Sequence, residues 1–101
     1  MDTPKHADAP KNYVFIGKKP LMDYVLAVVT HFESGMHEVV VKARGRNISI
    51  AVDVAEVVRS RFVQDAKVRN VQIGTEKLAG EDGKTANVSS IEIFLSKGAG
   101  S

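Results

Sequence analysis

The chain contains no cysteine among its 101 residues. It therefore forms no disulfides, thiolate metal sites or cysteine nucleophile, which is consistent with a reducing compartment such as the cytoplasm. No hydrophobic run is long enough to cross a bilayer, and the first eleven residues lack the apolar segment of a signal peptide. The sequence thus predicts a cytoplasmic protein that does not act at a membrane.

Patterns typical of catalysis are also missing. His31 and His37 could share a site with Glu33, but they straddle the end of a predicted helix. Ser34, His37 and Asp53 can be combined into a triad, yet nothing marks a nucleophile elbow or an oxyanion hole. No group of acidic residues has the spacing of a two-metal site. We therefore expect no enzymatic activity, no metal ion and no cofactor.

The composition suits one compact domain, because 44% of the residues are hydrophobic. Residues 1–11 contain two of the three prolines and few large apolar side chains, which predicts a disordered N-terminal tail. We expect the domain to cover residues 12–97 and residues 98–101 to form a frayed C-terminus.

Hydrophobic periodicity predicts the order β-α-β-α-β-β. The predicted elements are a buried central strand over 12–16, a helix over 20–34, a strand over 38–43, a helix from 46 or 47 to about 62, and strands over 68–75 and 88–96. Asp82-Gly83 is a hairpin turn signal between the last two strands. This order favours an α/β two-layer sandwich with both helices on one face of a mixed four-stranded sheet. The second helix is apolar around most of its circumference, which leaves open deep burial or a subunit interface.

Positive charge is concentrated at the two strand-to-helix junctions. Lys18 and Lys19 precede Pro20, which suits the start of a helix and would place both lysines at the positive end of its dipole. Residues 42–46 carry Lys42, Arg44 and Arg46 with no acidic residue among them. If the first two strands are parallel neighbours, both junctions lie at one edge of the sheet and form a single patch of five cations. Such a patch favours contact with nucleic-acid phosphates.

The same residues carry a family resemblance. The segments 12–27, 42–53 and 58–62 resemble the Alba family of archaeal chromatin proteins, and the match extends over residues 12–97. The resemblance implies the fold of the C-terminal domain of translation initiation factor three. It also implies a homodimer, or a heterodimer with a paralogue, that coats and compacts chromosomal DNA largely without sequence preference and also binds RNA.

The resemblance also implies roles for individual residues. Lys18 and Lys19 would lie at the centre of the DNA-binding face and could be acetylated, which makes an acetyltransferase and a deacetylase possible partners. Phe62 would join neighbouring dimers along DNA. The predicted nucleic-acid-binding residues are Lys18, Lys19, Lys42, Arg44, Arg46, Asn47 and Lys84.

Two departures from the family pattern bear on these expectations. The hairpin tip contains Glu81 and Asp82 but only one lysine, Lys84, which weakens the expected contact of a hairpin arm with the minor groove. Ile50 stands where many relatives have a lysine. The alternatives to a DNA-binding protein are an RNA-binding subunit of a ribonucleoprotein, a purely structural assembly protein and, last, a hydrolase.

Overall fold

The computed structural model describes residues 12–98. The regular elements are β1 (Tyr13–Phe15), α1 (Leu21–Glu33), β2 (Glu38–Arg44), α2 (Ile48–Val57), β3 (Ala66–Ala79) and β4 (Thr85–Lys97). This order confirms the predicted β-α-β-α-β-β succession. The predicted tail over residues 1–11 lies outside the described residues, as do residues 99–101 of the predicted C-terminal end.

The four strands form one mixed sheet in the order β1-β2-β4-β3. β1 runs parallel to β2, and β4 is antiparallel to both β2 and β3. The prediction that the first strand is central is wrong, because among the described strands β1 pairs only with β2 and therefore lies at an edge of the sheet. The apolar side chains of this segment lie on two different faces of the sheet. Val14 and Ile16 are buried in the core, whereas the Phe15 side chain is 56% exposed.

Both helices cover the same face of the sheet and enclose the hydrophobic core. The sheet contributes alternate residues of β2 to the core, together with Ile93 and Leu95 of β4. This alternation arises because every second side chain of a strand points to the same face. The buried residues of β2 on this face are Val39, Val41 and Ala43. The opposite face of the sheet carries no helix in the described part of the chain, and Lys42 and Arg44 lie there.

The ends of the two helices differ in detail from the prediction. Pro20 was expected as the first helical residue, but it is the N-cap in extended conformation, and α1 begins at Leu21. The second helix extends to residue 62 as predicted, but its last five residues, Val58–Phe62, form a π-helical turn. Its apolar residues differ in exposure, so deep burial holds for only part of the helix. Val54 is fully buried, whereas the Val52 side chain is 44% exposed.

β3 and β4 form the predicted long hairpin. Their pairing runs from Ala66 opposite Lys97 to Ala79 opposite Thr85, with an irregularity between Val68 and Asn70. Since β2 pairs with β4 only as far as Ser90, the part of the hairpin beyond this residue extends past the rest of the sheet. The tip closes at Gly83, where a φ of 80° requires the conformational freedom of glycine.

The helices cover one face of the sheet, but they do not cover the part of this face that β3 forms. β3 lies beyond α2, which packs on β2 and β4. Val71 and Ile73 of β3 are paired with Ile93 and Ile91 and therefore share their face of the sheet. They are nevertheless exposed, and the Ile73 side chain is 81% accessible. This strand thus presents an apolar surface at the edge of the molecule. None of the helices within residues 12–98 is long and apolar enough to span a bilayer.

Candidate nucleic-acid interface

The structure brings the two basic junctions together at one edge of the sheet. Phe15 is paired with Lys42 in the parallel ladder, and the Ile16 N–H donates a hydrogen bond to the Lys42 carbonyl at 2.9 Å. The Asn47 side-chain amide donates to the Ile16 carbonyl at 3.2 Å and links the beginning of α2 to the end of β1. The prediction that both junctions lie at the same edge is therefore confirmed.

The loop that carries Lys18 and Lys19 is anchored by a tyrosine hydroxyl. The backbone N–H groups of Gly17 and Lys19 both donate to the Tyr24 hydroxyl oxygen, at 2.8 and 2.9 Å. Tyr24 is buried in the first turns of α1, so its hydroxyl has a fixed position. A Cβ atom at Gly17 would approach this oxygen to 3.3 Å, which is a tight contact. The two hydrogen bonds to Tyr24 therefore fix the backbone of the loop against α1.

The side chains of this loop are free toward solvent. Lys18 and Lys19 are exposed, and across residues 12–98 neither forms an ion pair. Arg46, in the 3-10 turn Gly45–Asn47, is likewise exposed and unpaired within that range. Gly45 has a φ of 60°, a left-handed conformation that lets the chain turn from β2 into this segment. These three side chains are available to an anionic ligand.

Lys42 and Arg44 are placed differently from the sequence expectation. Arg44 Nη1 donates to Glu76 Oε1 at 2.9 Å, and Lys42 Nζ lies 3.4 Å from Glu76 Oε2 and 3.3 Å from Glu92 Oε2. The register of the sheet causes this contact, because β4 and β3 bring their acidic residues alongside β2. Two of the five expected cations are therefore neutralised by two carboxylates, and three remain unpaired.

The charge network shifts the pKa of two of its members. Partial burial disfavours the charged Lys42 ammonium, but hydrogen bonds and attraction from Glu92 and Glu76 outweigh this effect and raise its pKa. The pKa of Glu76 is lowered, first by the hydrogen bond from Arg44 and then by the one from Lys42. Both shifts favour the charged forms of Lys42 and Glu76.

The remaining predicted site residues are distributed over the molecule. Asn47 uses its side-chain amide to join two junctions, so its contact is within the protein. Lys84 lies in the hairpin turn, beyond the point where β2 ends, and the structure does not bring it to the junctions. Phe62 ends the π-helical turn with its side chain 45% exposed. Among residues 12–98 no group of His, Asp and Glu side chains could hold a metal ion.

Sequence reasoning missed the contributions of Tyr24, Glu76 and Glu92. Glu92 could have been identified, because a β2–β4 pairing places it directly opposite Lys42. The role of Glu76 depends on the register of the long hairpin, which no local pattern determines. Tyr24 lies among the apolar residues of α1, and no local pattern shows that its hydroxyl organises a loop.

Comparison with known proteins agrees with the fold. The family model for Alba matches residues 12–75, more than half of the chain. "DNA/RNA-binding protein Alba" of Methanocella arvoryzae is 59% identical over 86 residues, which cover 85% of this chain and 90% of the relative. "DNA/RNA-binding protein Alba 1" of Archaeoglobus fulgidus is 60% identical over 87 residues, 86% of this chain and 97% of the relative.

A solved structure leads to the same result. The structure described as Alba from Thermoplasma volcanium superposes with a TM-score of 0.81 at 55% sequence identity. The superposition covers 85% of this chain and all of the other. Because sequence and three-dimensional structure agree over most of its length, the chain belongs to the Alba family.

Proposed function

We propose that this chain binds nucleic acid, with duplex DNA as its principal ligand, and that it has no catalytic role. The observation that carries the proposal is the loop of Lys18 and Lys19, whose backbone is fixed by Tyr24 and whose charges are exposed and unpaired within residues 12–98. A fixed loop loses less conformational entropy on binding than a mobile one. The printed names of the two relatives, both DNA/RNA-binding proteins, support the same ligand class.

The binding energy comes mainly from phosphate contacts. Lys18, Lys19 and Arg46 present three cations at the junction edge, and each contacted phosphate releases condensed counterions. Lys42 and Arg44 contribute when a phosphate competes with Glu76 for them, while Lys84 contributes only if the hairpin arm reaches the ligand. None of these groups is arranged to read base edges, so the protein binds with little sequence preference.

The chain acts as a dimer. Val71 and Ile73 on the uncovered part of β3, with Val52 of α2, are exposed apolar residues that a second copy would bury. A dimer doubles the number of unpaired cations and allows one particle to contact two stretches of backbone. Contacts between dimers through Phe62 then allow the protein to coat and compact chromosomal DNA, with which it is associated in the cell.

Structured RNA is the second candidate ligand. The names of the relatives include RNA, and a basic surface that contacts phosphates serves A-form duplexes as well. Duplex DNA and duplex RNA of equal length and composition, titrated in parallel and in competition, separate the two. A clear preference for RNA would indicate that the protein acts as an RNA-binding subunit of a ribonucleoprotein.

The salt dependence of binding tests the phosphate mechanism. We expect the logarithm of the association constant for duplex DNA to fall linearly with the logarithm of salt concentration, by roughly 0.9 for each phosphate contacted. With three unpaired cations in each subunit of a dimer, the slope should correspond to several phosphates. Affinity that does not change between low and high salt would contradict the proposal, and loss of binding in Lys18→Gln with an unchanged slope would contradict the assignment of the site.

A further inference from the structure

The face of the sheet opposite the helices contains a small cavity beside the basic junction. Its volume is about 160 Å³, and its lining residues are Phe15, Ile16, Lys42, Ala43, Arg44 and Glu76. This volume is below that of pockets for drug-sized ligands, which begin at roughly 300 Å³. The cavity is therefore suited to a single planar ring and not to an extended ligand.

One wall of the cavity is an exposed aromatic ring. Phe15 lies on β1, the edge strand, and 56% of its side chain is accessible. Its only aromatic neighbour within residues 12–98 is Tyr13, two residues earlier on the same face, with ring centroids 5.7 Å apart and planes inclined by 35°. Because this tilted contact supports the ring from one side, Phe15 has a defined position and retains surface for a further planar partner.

The charges around the cavity argue against a phosphate as its occupant. Lys42 and Arg44 are balanced by Glu76 and Glu92 at distances of 2.9 to 3.4 Å, so that the local net charge is close to zero. A phosphate placed inside the cavity would meet the Glu76 carboxylate, which lines it, and would first have to displace that carboxylate from Lys42 and Arg44. An uncharged heterocycle would instead find an aromatic face, a guanidinium plane and carboxylate oxygens that accept hydrogen bonds from ring amines.

We propose that this cavity binds an unpaired nucleobase of a single-stranded nucleic acid, which stacks on Phe15. The proposal extends the proposed function, because the phosphates of the same strand would be held by the adjacent loop. Ile16 lines the cavity, and the next residues along the chain are Gly17 and the exposed Lys18 and Lys19. The site thus combines a stacking ring with neighbouring cations, the two components of single-strand binding. Bases that are paired within a duplex are not accessible to it.

A fluorescent ring at this position tests for stacking directly. The chain contains no tryptophan, so Phe15→Trp introduces a unique fluorophore that can be excited where tyrosine absorbs little. We expect single-stranded oligo(dA) to quench it in a saturable way, and an abasic oligonucleotide of the same length, which has the same phosphates, to leave it unquenched. The control is Leu26→Trp, an exposed position on α1, which we expect neither oligonucleotide to quench. Equal quenching of Phe15→Trp by both oligonucleotides would overturn the proposal.

A second test measures the nucleic-acid affinity of Phe15→Leu and does not depend on a fluorophore. We expect its affinity for single-stranded oligo(dA) to fall between about fivefold and one hundredfold, the range for loss of one stacked base, with unchanged affinity for duplex DNA. Leu26→Ala is the matched control and should bind both ligands normally. Unchanged single-strand binding by Phe15→Leu, with duplex binding intact, refutes the base site alone. If the wild-type protein binds neither ligand, the proposed function fails together with the base site.

Discussion

The Tyr24 hydroxyl oxygen accepts a hydrogen bond of 2.9 Å from the backbone N–H of Lys19, five residues earlier in the chain. It accepts a second one from Gly17, so that a single buried side chain holds the whole basic loop. The loop therefore has a defined position before any ligand is bound. Such preorganisation lowers the entropic cost of binding.

Removal of this hydroxyl should affect both stability and binding. In Tyr24→Phe the N–H groups of Gly17 and Lys19 lose their acceptor, and we expect the free energy of unfolding to fall by about 1 to 2 kcal/mol. Duplex DNA affinity should also fall, although every cation is retained. Urea denaturation and a binding titration measure the two effects. Normal affinity in the destabilised variant would show that loop order does not contribute to binding.

Neutralising either loop lysine should weaken binding to duplex DNA. Lys18→Gln and Lys19→Gln imitate acetylation by removing a charge and its donors, and each should reduce the salt-dependence slope by about 1. Lys67→Gln is the matched control. Lys67 is paired with Ser96 opposite the start of β2, roughly 20 Å along the strands from the junction. If all three variants lose the same affinity, the effect is one of net charge and not of the loop.

Releasing the neutralised cations should strengthen binding. In Glu76→Gln, Arg44 loses its carboxylate partner and Lys42 loses one of two, so we expect tighter binding to duplex DNA and a steeper salt slope. Glu33→Gln, at the exposed end of α1, removes the same charge far from the network and serves as control. Weaker binding of Glu76→Gln than of Glu33→Gln would mean that Glu76 positions Arg44 for the ligand instead of competing with it.

The lowered pKa of Glu76 also predicts how stability changes with pH. Because its folded-state pKa is below the ordinary value of 4.5, the network stabilises the folded state above that pH, and this contribution is lost as pH falls through the folded-state pKa. The difference in unfolding free energy between wild type and Glu76→Gln should therefore be constant near neutral pH and shrink in acid. Denaturation curves between about pH 3 and pH 7 measure it. A difference that is independent of pH would contradict the network.

Truncating the exposed ring of Phe62 should separate dimer formation from assembly along DNA. We expect Phe62→Ala to sediment as the same oligomer as the wild type, because the apolar surface of Val71 and Ile73 is intact. Its binding to long duplex DNA should be less cooperative, as measured by the steepness of the titration. Unchanged cooperativity, or loss of the dimer, would remove Phe62 from the proposed role.

Local patterns were sufficient to predict the elements and their order. Pro20 and Gly35 mark the two ends of α1 within two residues, and the Asp82-Gly83 turn identifies the hairpin. The position of β1 was predicted incorrectly, because an apolar run is equally compatible with a central strand and with an edge strand whose second face is aromatic. β1 lies at the edge because β4 pairs with β2 and not with β1, and this pairing joins residues that are distant in sequence.

The candidate site was predictable only where it depends on local patterns. The clustering of the two junctions follows from a β-α-β unit, and the structure confirms their proximity. The pairing of Lys42 and Arg44 with acidic residues depends on the register of strands that are distant in sequence, with Glu76 32 residues from Arg44. Charge counted along the chain therefore overestimates the number of free cations.

The two outer strands of the sheet are unequal, and this has a consequence for solubility. β1 has three residues and offers few backbone groups to a foreign strand, whereas β3 has fourteen and, within residues 12–98, is paired only with β4. A long outer strand with apolar side chains is a template for unwanted aggregation. In the proposed dimer a second copy would cover the apolar side chains of this strand, so conditions that dissociate such a dimer should also promote precipitation.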